Sequence, residues 1–168
     1  MISRRIKDIE NKLTITWKWI RNSGILIIIG LLLPFSFVVF NNGIAFNWIW
    51  GLGFIIGDFP AIISLLISPI HLIFSIPLFL IAVLSIITAS LAKNYGNNKT
   101  ISYRWIEFGI LLIFLPLIYF LLQITELSVY LTIVEDSNII MYFPINLFIF
   151  IIGGIIEIYN GYQIYRYS

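Results

Sequence analysis

The 168-residue chain has no cysteine, one histidine and little charge: only 11% of its residues are Asp, Glu, Lys or Arg. Without cysteine there can be no disulfide, thiol chemistry, iron–sulfur cluster or thiolate-bound zinc. A single histidine, His71, excludes a bis-histidine haem and a His-rich metal site within one chain. Soluble domains carry about 25% charged and about 45–50% apolar residues. Here 60% are hydrophobic and 17% aromatic. A chain of this size cannot bury that much apolar side chain and still present a polar surface to water. The composition therefore implies a small multi-pass membrane protein and excludes soluble, disordered and disulfide-stapled classes.

Basic residues are also absent from two long stretches, 22–92 and 105–165, and all ten Lys and Arg fall within 4–21, within 93–104 or at 166. Crossing a hydrocarbon core takes about 20 apolar residues in a helix. Four segments qualify, at about 24–40, 61–92, 105–124 and 145–164. Four spans return both termini to one side. The outside loops, 41–60 and 125–144, hold Asp58, Glu126, Glu135 and Asp136 and no basic residue. The positive-inside rule then puts both termini in the cytoplasm, with the chain in the plasma membrane.

The expected fold class is an all-α membrane protein: a single four-helix transmembrane bundle over 23–168, preceded by a cytoplasmic basic amphipathic helix over 1–22. In that helix Ile2, Ile6, Ile9, Leu13, Trp17 and Ile20 share one face, with Arg4, Arg5, Asp8, Lys12 and Lys18 off it. Such a helix suits the plane of an anionic leaflet. The outside loops carry strand signals at 44–50, 128–134 and 139–143, with turn residues at 135–138. A small extracellular hairpin or sheet is expected there. The two halves also share a layout: Arg21 and Arg104, Pro34 and Pro116, and Phe59-Pro60 and Phe143-Pro144 stand 83, 82 and 84 residues apart.

Polar residues inside the spans are the candidate sites. In span two, Ala61, Ser64, Ser68, His71, Ser75, Leu78, Ala82, Ser85, Ala89 and Ala92 recur at spacings of three and four. Small and hydroxyl side chains on one face let helices approach and hydrogen-bond, so span two is read as the packing spine, with Ser64, Ser68, Ser75, Ala82, Ala89 and, from span four, Gly153 as its contacts. Asn146, Phe150, Gly153, Glu157 and Asn160 share a face of span four. A carboxyl group at that depth needs a partner or a wet cavity. Glu157, His71, Ser85 and Asn160 form the candidate proton or ion site, with a Glu157–Ser85 contact expected from their matching depth. His71 and Glu157 are separated by much of the bilayer. Glu107 is expected at the headgroups beside Arg104 or Lys93. Trp48, Trp50, Trp17 and Tyr162 are read as interfacial or external contact residues.

The chain has no Gly-rich phosphate loop, HExxH, GxSxG or nucleic-acid module. No catalytic residue, cofactor, metal or nucleic acid is called for. The expected partners are the lipid bilayer and other membrane subunits or a second copy of the chain. Four spans with cytoplasmic termini and strand-like outside loops resemble the claudin-type layout, whose first loop has a Trp and Gly-Leu-Trp motif with two cysteines. Here 48–52 reads Trp-Ile-Trp-Gly-Leu, the cysteines are missing and the loop is far shorter, so the resemblance is one of layout and implies no family. The leading expectation is a non-enzymatic structural or accessory subunit of a larger membrane complex. The alternatives are a small oligomeric transporter or channel using Glu157 and His71, and an external adhesion or assembly module using Trp48 and Trp50.

Overall fold

The computed structural model describes residues 2–40, 43–57, 62–65, 69–95, 99–133 and 139–167. They form α1 (Ile2–Leu32), β1 (Ser36–Phe40), β2 (Gly43–Asn47), β3 (Leu52–Gly57), β4 (Ile62–Leu65), α2 (Pro69–Tyr95), α3 (Lys99–Ile133), β5 (Ile139–Phe143) and α4 (Ile145–Tyr167). The protein is mostly helical, and α2, α3 and α4 each hold a segment long and apolar enough to cross a membrane.

The all-α expectation is corrected by a five-stranded antiparallel sheet of order β4-β3-β2-β1-β5. Several span limits move with it. Helix α1 stops at Leu32, before Pro34, and the β-branched and aromatic run of the expected span 24–40 becomes β1. Span two starts late. Pro69 takes the first helical position of α2, where its missing N–H costs nothing, and Ser64 sits in β4 rather than on the helical stripe. Ala61 and Ser68 lie outside the described residues.

Helix α3 is longer than the expected 105–124. No glycine or proline follows Pro116 until Pro144, so nothing stops the helix before Ile133. The expected strand at 128–134 is helical through Ile133, and Val134 and the turn at 135–138 lie outside the described residues. The expected hairpin partner, β5, instead pairs with β1, setting Phe37 opposite Phe143 with ring centroids 5.6 Å apart. Basic segment 2–22 is no separate in-plane helix, because α1 continues through it without a break. The two halves also diverge. Four strands separate α1 from α2, while one separates α3 from α4; Pro34 lies beyond the end of α1, whereas Pro116 sits inside α3.

The bundle is held unevenly. The broadest interface joins α3 to α4, followed by α1 to α2 and α1 to α4, while α2 and α3 meet only narrowly. Glycine explains the first. A methyl group on Gly154 would lie 2.6 Å from the Gly109 carbonyl oxygen, and one on Gly161 would lie 2.8 Å from the Ser102 carbonyl oxygen. Gly24 does the same service between α1 and α2, 2.7 Å from Ala82 O by that measure. The packing spine is thus the α3–α4 glycine seam rather than α2 alone. Two apolar clusters fill the interior. One, toward the sheet, includes Ile27, Phe35, Leu78, Ala82, Tyr119 and Phe150. The other, toward the basic end, comprises Ile20, Ala89, Ala92, Trp105 and Ile164.

Replacing Gly154 by valine forces side-chain atoms into the Gly109 backbone and should cost about 1–3 kcal/mol. Thermal unfolding in detergent should show a clear drop in Tm relative to Ile155→Val, which alters an exposed side chain. Equal melting of the two variants would refute the glycine seam.

Candidate functional site

Two polar centres occupy the bundle, and a third group of polar contacts closes the end of α1. Glu157 on α4 is 0% exposed. Ser23 on α1 donates its hydroxyl proton to Glu157 Oε1 at 3.2 Å or to the Gly153 carbonyl at 3.0 Å. Ser85 on α2 also reaches the carboxyl group, as its matching depth predicts. Yet Ser85 Oγ and Glu157 Oε2 are both buried without a hydrogen bond of good geometry. The three residues form a layer between the apolar clusters. Ser23 lies between Ile20 and Ile27, Ser85 between Ala82 and Ala89, and Glu157 between Phe150 and Ile164. Asn160, one turn along α4, is buried, and its amide donates to the Ile156 carbonyl at 2.7 Å.

His71 belongs to a separate centre. Its Nδ1 lies 2.8 Å from the Tyr119 hydroxyl, which receives a hydrogen bond from Gln123 Nε2 at 3.0 Å. Gln123 Oε1 in turn accepts from Tyr142 at 2.8 Å and Ser36 at 3.1 Å. This chain ties α2, α3, β5 and β1 together. Burial raises the Tyr142 phenol above its usual range, against an opposing hydrogen bond from Ser36, so Tyr142 stays a neutral donor at physiological pH. Fourteen residues separate His71 from Ser85 on α2, about 21 Å of helix, with buried Leu78, Ile81 and Ala82 between. The structure therefore joins Glu157 to Ser85 and Ser23 but not to His71.

The end of α1 shows what Trp48 and Trp50 do. Leu33 N–H donates to Ile29 O at 3.1 Å, but Pro34 has no N–H for Gly30 O. Asn146 Nδ2 replaces it, donating to Gly30 O at 2.7 Å and Leu33 O at 2.8 Å. The indole of Trp50 donates to Leu31 O and that of Trp48 to Leu32 O, both at 3.0 Å. Five successive carbonyls, Ile29 to Leu33, are thereby bonded. The two tryptophans are presented by a tight β2–β3 turn in which Trp48 N–H donates to Leu52 O and Gly51 adopts φ 98°, a conformation that favours glycine.

The remaining candidates have structural settings. Ser75, Ala82 and Ala89 are buried along α2. Gly153 packs on Ile27 and Ser23. Trp17 carries the cations of Lys93, Arg21 and Lys18 at 5.1, 5.4 and 5.7 Å from its ring centroid, a cation–π cluster linking α1 to α2. Tyr162 is exposed. Glu107 pairs with Arg104 at 2.8 Å on the surface. Sequence reasoning overlooked Ser23, Tyr119, Gln123, Tyr142 and Trp105, whose indole donates to Thr88 Oγ1 at 2.8 Å. Tyr119 and Gln123 stand four apart in an apolar run, which was the available signal. No three His, Asp or Glu side chains gather as a metal site among the described residues. Comparison with known protein families, curated proteins and solved structures finds no match. The claudin-like layout therefore comes with no matching family.

Tyr119→Phe removes the hub of the His71 chain and should cost about 1–3 kcal/mol. A double-mutant cycle with His71→Phe should be non-additive, because the second change removes a bond already lost. Additive losses in Tm would show that the two side chains do not act together.

Proposed function

We propose that the chain is a four-span bundle of the plasma membrane with both termini cytoplasmic, working as a non-enzymatic structural or accessory subunit of a larger membrane complex. The fourth span is α1. Its half from Thr16 to Leu32 packs against α2 and α4 while exposing Ile25, Ile29 and Leu32, which suits lipid on that face. With α1 crossing, every basic residue lies on one side of the membrane. The 1–22 segment and the 23–168 bundle then form one body around a shared α1.

The observation that carries the subunit reading is how the inner polar groups are used. Asn146, Trp48 and Trp50 cap a helix end, and His71, Tyr119, Gln123, Tyr142 and Ser36 tie four elements together. Polar chemistry spent on shape leaves the outer surface for recognition. That surface offers exposed apolar side chains on all three apolar helices, such as Ile76 and Phe79, Phe114 and Ile118, and Phe148 and Ile152. The sheet order also leaves β4 and β5 as edge strands among the described residues, and an edge is a template for a partner strand. A polar path from Glu157 to His71 has less support, since apolar side chains separate them. Adhesion through Trp48 and Trp50 has less support as well, since both indoles are bonded to α1.

Two measurements test this reading. Extracted in a mild detergent, the tagged chain should run in an assembly larger than one copy and bring other membrane subunits with it. Recovery solely as a monodisperse monomer would sink the subunit proposal. For topology, the cysteine-free chain is a ready background. A cysteine at Asn97 should react with an impermeant maleimide only from the cytoplasmic side, and one at Ser137 only from outside. Labelling of both from the same side would remove the four-span topology.

A further inference from the structure

The Glu157 layer has a feature that helix packing does not require. Three helices converge on one carboxyl group, and two oxygens in the layer, Glu157 Oε2 and Ser85 Oγ, remain unsatisfied while fully buried. Buried polar atoms in native proteins are nearly always bonded, because each orphan costs about 1–3 kcal/mol. Ser23 already serves Oε1, so the defect is confined to the Oε2 side.

No charged group among the described residues answers the carboxylate. On α1, Lys18 and Arg21 are exposed and stacked at Trp17. On α2, Lys93 is exposed about two turns beyond Ser85. On α3, Arg104 is taken by Glu107 at the surface. On α4, Arg166 is exposed. His71 is engaged with Tyr119 some 21 Å of helix away.

The geometry points to Glu157 as a reversible proton-binding site, with Ser85 as the acceptor that holds the bound proton and Ser23 as the donor that orients the carboxyl group. One proton added at Oε2 removes one negative charge. It also turns an orphan acceptor into a donor aimed at the other orphan, Ser85 Oγ. A single event thus satisfies both atoms. This assigns the layer an activity beyond subunit packing: taking up and releasing one proton inside the membrane.

The test uses the full chain in mild detergent and dicyclohexylcarbodiimide, which modifies protonated carboxyl groups in apolar surroundings. Mass spectrometry should find the adduct on Glu157 and not on surface Glu107, with loss of labelling at alkaline pH. Glu157→Gln should abolish labelling yet keep the parent Tm, because a glutamine amide can donate to Ser85 as the acid does. Glu157→Leu should lower Tm, because it strands both serines. A folded parent that is never labelled would overturn the proposal. So would labelling suppressed by sodium or potassium ions at constant pH, which would make the layer a cation site. Equal Tm losses in the Gln and Leu variants would overturn it too.

Discussion

A peptide carbonyl that water cannot reach must find a donor in the protein, and that constraint organises the outer end of this molecule. Pro34 cuts α1 short and removes the N–H that Gly30 O would have used. The remedy comes from far along the chain. Asn146, in the first turn of α4, supplies two donors, and the β2–β3 turn supplies two indoles. The sheet then follows. Phe35, just past the break, donates its N–H to Asn47 O and accepts from Asn146 N–H, so the cap, the start of α4 and the first strands share one residue.

The interior repeats this economy in a different form. Apolar contact gives little net drive in lipid, since hydrocarbon surrounds the helices anyway. Close approach and hydrogen bonds must do the joining. Glycines supply the approach on α3 and α4, and small side chains supply it between α1 and α2. Hydrogen bonds mark two depths, the Glu157 layer and the His71 chain, with apolar packing on either side of the first. Oxygen-bearing side chains in this bundle therefore sit at defined levels rather than in a continuous column.

Much of this was legible in the sequence where the signal was periodic or rare. Composition and the placement of ten basic residues indicated the membrane. The three-and-four spacing on α2 marked Ser75, Ala82, Ser85 and Ala89 as an inward face, and Glu157 stood out because carboxyl groups are scarce in spans. The sheet was hard to read because its runs, such as 36–40 and 62–65, are continuous apolar stretches that suit helix and strand alike. The alternating 128–134 stretch carried the opposite ambiguity, and the lack of any breaker decided it for helix. Strand order was beyond reach, because β5 meets β1 only after α2 and α3 have folded between them. The His71 chain was illegible for the same reason: its partners come from four separate elements.

The narrow α2–α3 contact has a mechanical meaning. These helices are consecutive, yet they share the least surface of the neighbouring pairs. Two side-chain bonds tack them, His71 to Tyr119 near the sheet and Trp105 to Thr88 near the basic end. The bundle is therefore a stiff three-sided frame with one compliant side fastened at its corners. When bilayer thickness or lateral pressure changes, the load should be taken up along that side, between its two fasteners.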